Sequence, residues 1–279
     1  VTSSFGVGQL LTAALDLSPD RVVVGLGGAG TDDAGAGMLA ALGAGPRARL
    51  GRGGLALAAV EADDLAGLES VVARLRDVDL VVATDLELPL LGLNGASAVL
   101  APGMGASEEI AQRLENALGS FAAMVSRLHP PPVDLLTGLP MRPERLPGAG
   151  AAGGLGYALL LLGGRRVAGV EAVLDAVGFD DLLEQADLVV TGEASFDWRS
   201  LRGGVVAGVA AAASRVGVPA IVVARQCLVG RREAMSLGVS GMYAVIERPE
   251  QLAASHADPA GTLRDRAARV ARTWSPAPG

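Results

Sequence analysis

Residues 21–43 read RVVVGLGGAGTDDAGAGMLAALG, and this stretch decides the fold class. Arg21–Leu26 is a short run of β-branched and apolar residues, the composition of a strand covered on both faces. It passes without a spacer into glycines, and these into a helical segment, Met38–Leu42, that stops at Gly43. A strand turning through glycine into a helix is the opening half of a βαβ unit. Three more runs of the same kind follow: Val78–Ala83, Ala186–Val190 and Val218–Ala224. Helical patterns lie between and after them. Glu108–Leu128 repeats apolar residues at Ile110, Leu114, Ala117, Leu118 and Phe121, one face of a helix. Val205–Arg215 is alanine-rich and ends before Gly217, and Leu263–Trp274 carries arginines at its outer positions. The alternation predicts an α/β protein with mainly parallel strands and right-handed crossovers.

Glycines at a strand-to-helix turn let backbone N–H groups point at an anion, and the helix N-terminus adds partial positive charge. Gly25, Gly27 and Gly30 formally spell the dinucleotide fingerprint G-x-G-x-x-G, but the acidic residue expected about 20 positions on is missing. Thr31, Asp32 and Asp33 sit inside the loop instead, where Thr31 or Asp32 can also serve as a helix cap. A second glycine loop, Pro147–Gly156, precedes an apolar helix over Tyr157–Leu162; its glycines equally suit close helix packing.

Composition narrows the chemistry. The chain has 279 residues, a net charge of −7 and 23 basic residues, every one an arginine. With no lysine there is no Walker A lysine, Schiff-base lysine or lysine general base. One cysteine, Cys227, excludes an intrachain disulfide, and two histidines, His129 and His256, make a His/Cys zinc site a poor expectation. The acidic balance and the lack of a basic run argue against nucleic-acid binding. The longest uncharged apolar stretch, Gly148–Gly164, is interrupted by Gly150, Gly153, Gly154 and Gly156, so it reads as a buried helix rather than a membrane span. No charged-then-apolar leader opens the sequence, and a cytoplasmic location is expected.

Carboxylates stand where an open parallel sheet binds ligands, beyond the carboxyl ends of strands. Asp85 follows Val81–Thr84, while Thr191, Gly192, Glu193 and Asp197 follow Leu188–Val190. Such groups hold Mg²⁺ together with phosphate oxygens, take a proton from a hydroxyl, or simply cap helices. His129, beside Pro130, reads as a capping or surface residue, and Cys227 as a small buried hydrophobe.

Taken together these motifs resemble the bacterial glycerate kinase family, glycerate 2-kinase type. TSSFGVG at 2–8 is similar to its T-S-x-G-x-G. Residues 25–43 resemble G-x-G-G-S-A-T-N-D-G-G-A-G-M-L-x-A-L-G, and residues 83–97 resemble D-V-x-N-P-L-x-G-x-x-G-A. PGAGAAGGLG at 147–156 matches the family run, and ADLVVTGEASFD at 186–197 resembles A-D-L-V-I-T-G-E-G-R-I-D. The resemblance implies a two-lobe α/β fold: a Rossmann- or flavodoxin-like lobe, incomplete here, and an inserted α/β lobe. The expected division is 1–180 for the inserted lobe and 181–279 for the C-terminal half of the other. It also implies ATP-dependent phosphorylation of D-glycerate to 2-phosphoglycerate with Mg²⁺. Carried over by position, Asp85, Glu193 and Asp197 are catalytic, with Asp85 and Asp197 also metal-binding. Gly27, Gly28, Thr31, Asp33, Gly35, Thr191 and Gly192 bind substrate or phosphate.

Departures from the family pattern shape these expectations. Its opening segment, with S-F-K-G and A-D-G-G-E-G-T, has no counterpart here. Its Q-K-G reads Gly103-Met104-Gly105, the asparagine before Asp33 is Asp32, and Q-T-x-x-G-K reads Arg199–Gly204. Phosphoryl transfer needs positive charge around the transferring group, and Arg199 and Arg202 are candidates to supply it. A second reading is a catalytically impaired or truncated paralogue that keeps the scaffold. Without the opening segment, exposed sheet edge and apolar surface predict self-association or poor solubility.

Overall fold

The computed structural model describes residues 2–27 and 30–275 and divides into two compact units, Val1–Ala168 and Gly169–Gly279. The division lies before residue 180 because helices Gly169–Ala176 and Phe179–Leu183 belong to the second core: Leu174, Phe179 and Leu183 pack there.

The first unit is built on a parallel sheet of order β1 (Arg21–Gly25), β2 (Asp79–Ala83), β3 (Arg165–Val167). β2 is central and its Leu80–Ala83 are buried, as its continuous apolar sequence requires. β1 is an edge strand and buries only alternate residues in part. Helix Glu108–Leu128 has the sequence-read boundaries. Ser107 caps it by accepting from the Ile110 N–H, Glu108 and Glu109 lie in its first turn and Arg127 in its last, each favourable to the helix dipole. Its stripe of Leu114, Ala117, Leu118, Phe121, Ala122 and Val125 is buried, worth about 2 kcal/mol for each large side chain. His129 closes it as the C-cap and bonds Glu69 through Nδ1 at 2.7 Å.

Helix Phe5–Leu15 lies against helix Ala36–Leu42 at very close range. Gly8 makes this possible, since a Cβ there would come within 2.5 Å of the Met38 carbonyl oxygen and 2.7 Å of the Ala41 Cβ.

The second unit holds a parallel sheet of order β4 (Val189–Thr191), β6 (Ala220–Ala224), β8 (Val239–Ala244), and a parallel pair, β5 (Ser195–Phe196) with β7 (Gln226–Cys227). Helix Val205–Arg215 packs on β4 and β6, then turns through left-handed Gly217 into Val218-Pro219 and β6. Helix Pro259–Trp274 begins four residues before the sequence-read start. Asp258 caps it by accepting from the Gly261 N–H, and proline at the first helical position suits a missing donor. Every pairing between these strands is parallel. No helix among the described residues is long and apolar enough to cross a membrane.

Candidate functional site

In the first unit three segments that lie far apart in sequence interlock beyond the carboxyl ends of β1 and β2. The Leu26 N–H donates to the Ala83 carbonyl and the Thr84 N–H to the Val167 carbonyl, so the ladder continues to where the strands part. The loop after β1 is then tied to the 147–156 glycine run. The Thr31 hydroxyl donates to the Ala152 carbonyl at 3.2 Å, and the Ala34 N–H to the Gly153 carbonyl at 3.1 Å. The loop after β2 joins them through the Gly150 N–H, which donates to the Leu88 carbonyl at 2.9 Å.

The glycine run does more than permit helix packing. Ala152, Gly153 and Gly154 are three successive left-handed residues at the start of helix Ala151–Leu161, and a Cβ on Gly153 would strike the Thr31 carbonyl. Gly35, also left-handed, sits where a Cβ would meet that of Ala158. These glycines set the approach of one loop to the other.

A cleft of about 560 Å³ opens at this junction, lined by Leu26, Gly27, Gly30, Asp85, Leu86, Leu100, Met104 and Ala152. Gly27 and Gly30 leave open space where a side chain would stand, so their backbone faces solvent. A neighbouring cleft of about 440 Å³ shares Gly30 and Met104 and adds Arg52 and Asp32 to its wall. The structure thus brings Gly27 and Asp85 into one cleft, as the strand-end rule anticipates. Gly28 lies outside the described residues.

Asp33 and Thr31 hold the loop together. Asp33 is fully buried. Its Oδ2 accepts from the N–H and hydroxyl of Ser4 at 2.8 and 3.0 Å, and its Oδ1 accepts from the Gly35 N–H at 3.1 Å. The Ser4 hydroxyl in turn accepts from the Met38 N–H. Asp33 therefore organises the loop and the start of helix Ala36–Leu42 from within, and Thr31 and Gly35 fasten it to the second glycine run. All three residues thus build the loop.

Asp32 is the residue whose weight the sequence concealed. It is 8 % exposed, both carboxylate oxygens lack a hydrogen-bond partner among the described residues, and so does the buried hydroxyl of nearby Ser97. Burial, with lesser contributions from the Asp33 and Glu115 charges, pushes its pKa up to about 6 despite the opposing influence of Ser97.

The second unit carries the other sequence-read residues. Thr191 ends β4, and Gly192 packs so closely on β6 that a Cβ would strike the Val223 carbonyl. Glu193 follows with its Oε1 buried and unpartnered among the described residues. Asp197, 7 % exposed, accepts from the Arg199 N–H at 2.8 Å and from its guanidinium Nη2 at 3.1 Å. The Arg199 contacts hold the Asp197 carboxyl below the usual carboxylate range. Arg202 makes no ion pair among the described residues and lies 5.2 Å from the Trp198 ring centre, which Arg199 approaches at 5.9 Å. Gly203 and Gly204 follow, and helix Val205–Arg215 starts with no side-chain cap and no acid in its first turn. Cys227 is half-buried, and burial pushes its thiol pKa up, the setting of a packed thiol rather than a nucleophile.

A model of the glycerate kinase family matches residues 1–275. The glycerate kinase of Bacillus subtilis (strain 168) is 36% identical over 251 residues, covering 88% of this chain and 62% of the relative. The glycerate 2-kinase of Escherichia coli (strain K12) is 38% identical over 230 residues, covering 80% and 57%. A crystal structure named for glycerate kinase 2 of Salmonella typhimurium LT2 matches with a TM-score of 0.74 at 34% identity, over 97% of this chain and 68% of that one. The chain spans about three fifths of the length of the curated relatives it matches. On the extent of these matches, the chain belongs to the glycerate kinase family.

Proposed function

We propose that this chain transfers the γ-phosphoryl group of ATP to a hydroxyl of D-glycerate, giving 2-phosphoglycerate. The observation that carries the reading is the cleft in which the backbone of Gly27 and Gly30 and the carboxylate-bearing Asp85 meet beyond the ends of β1 and β2. Backbone N–H groups there suit a phosphate or the substrate carboxylate.

Mg²⁺ would supply charge neutralisation on the nucleotide phosphates. Among the described residues no three His, Cys, Asp or Glu side chains gather. The donor set therefore fits an ion held by one protein carboxylate together with phosphate oxygens and water. Asp85, exposed on the cleft wall, suits that task. Asp197, a second candidate for the ion, pairs with Arg199 at 3.1 Å and in this reading also anchors that arginine. Arg199 and Arg202, in the second unit, are the candidates for phosphate charge where the family pattern has lysine, through planar guanidinium groups. Glu193, in the second unit and with a buried oxygen unpartnered among the described residues, is a candidate proton acceptor.

The test measures ADP release by purified protein with ATP, Mg²⁺ and D-glycerate against a control without glycerate. Glycerate-dependent release is expected, falling at least 10²-fold in Asp85→Asn with the melting temperature unchanged. Release equal to the control overturns the kinase reading for this chain. Full activity in Asp85→Asn overturns the assignment of Asp85.

A further inference from the structure

Residues 133–140 form a turn whose ends bridge in antiparallel fashion at Val133 and Pro140. Its backbone is bonded in place. The Asp134 N–H donates to the Leu139 carbonyl and the Gly138 N–H to the Asp134 carbonyl, while the Asp134 carboxylate accepts from the N–H groups of Leu136 and Thr137 at 2.8 and 3.2 Å. This framework holds Leu135 and Leu136 out into solvent at 98% and 96% exposure, with Leu139 at 66% and Val133 at 53%. Beside the stem lies a groove of about 810 Å³. Gly119, Ala122 and Ala123 of helix Glu108–Leu128 form one side, and their small side chains leave it open; Pro131 and Met141 contribute to the other.

We infer that this ridge and groove are the interface between two copies of this chain, Leu135 and Leu136 of each copy entering the groove of the other. Three observations select a second copy as the occupant. The first is area. The four exposed side chains amount to about three wholly exposed leucines, roughly 350 Å² of apolar surface. Each ridge covers a comparable area of groove, and the reciprocal contact doubles the whole to roughly 1,400 Å², within the range of stable interfaces. The second is charge. At a net −7 two copies repel in general, yet the acids of this face are spent locally. Asp134 is bonded to its own turn, and Glu144 is paired with Arg142 at 2.8 Å. A neutral apolar face gives a charged partner nothing to hold. The third is that ridge and groove share one face, so a two-fold axis satisfies both at once and the contact closes.

The inference is independent of the phosphotransfer reading, and so is its test. Sedimentation equilibrium from 1 to 100 µM should show the wild type at twice the 28.0 kDa chain mass. The double variant Leu135→Asp/Leu136→Asp should run at the mass of one chain and still unfold cooperatively, at a melting temperature that no longer rises with protein concentration, since both side chains are solvent-exposed in the single chain. Leu17→Asp, also at an exposed leucine, should remain a dimer. A wild-type monomer at 100 µM overturns the inference. So does a dimer that persists in the double variant, loss of the dimer in Leu17→Asp, or assembly that keeps growing with concentration. A monomer that instead captures another protein through this face assigns the groove to that protein and likewise overturns it.

Discussion

At the scale of single residues, Asp32 and Asp33 are neighbours in sequence with opposite fates. Asp33 is surrounded by donors from Ser4, Gly35 and Gly37, whereas Asp32 is buried without one among the described residues. An acid whose pKa rises on folding, from 3.8 to about 6 for Asp32, binds its proton more tightly in the folded chain. Between about pH 4 and pH 6 the folded state thus holds more protons than the unfolded state. Stability falls as pH rises through that window and is level above it. That rise corresponds to roughly 3 kcal/mol. Asp32→Asn, which places at 32 the asparagine of the family motif, should remove this slope and raise stability at pH 7 by about 2–3 kcal/mol; urea unfolding of both proteins at pH 4, 5, 6 and 7 measures it. An unchanged pH slope in the variant would refute the account. The contrast between the two acids was not legible in the sequence, because Asp33 finds its donors on Ser4, 29 positions away.

At the scale of elements, the strands and helices with a clear period were legible. β-branched runs located β1 and β2, and a single apolar face delimited helix Glu108–Leu128. β3 escaped because Arg165-Arg166-Val167 is a short edge strand with two charged residues, and β8 because Ser240 and Gly241 interrupt its apolar character. Helix Phe5–Leu15 was visible only as part of a glycine-bearing motif. Its two glycines differ sharply in surroundings. Gly6 has open space around it, while Gly8 lies against the Met38 carbonyl. Gly6→Ala should therefore stabilise by about 0.5–1 kcal/mol through helix propensity. Gly8→Ala should destabilise by about 2 kcal/mol or more by forcing the helices apart. Thermal unfolding of the two variants checks the difference in sign. The cleft around Gly27 and Asp85 was legible from the strand-end rule, but the left-handed run at 152–154 was not, since its conformation answers to a loop more than a hundred residues earlier.

At the scale of the whole molecule, each unit has its own apolar core, one around Leu118, Phe121 and Tyr157, the other around Phe196, Val206 and Val222. Units with separate cores unfold as separate cooperative steps when little couples them. Leu118→Ala, at a fully buried position, should cost about 2–5 kcal/mol in the first unit alone. Calorimetry should then show one transition moved to lower temperature and the other in place; a single transition shifted as a whole would show the units to be thermodynamically one. The knot of loops beyond β1 and β2 also sets a timetable for the chain's birth. β1 and β2 can pair once residue 83 is synthesised, but the Thr31–Ala152 and Leu88–Gly150 bonds must await more than sixty further residues. Such distant closures come late and slowly. A nascent chain can therefore pair β1 with β2 before it closes its cleft, and a refolding chain should regain far-ultraviolet circular dichroism before it regains the capacity to bind a ligand.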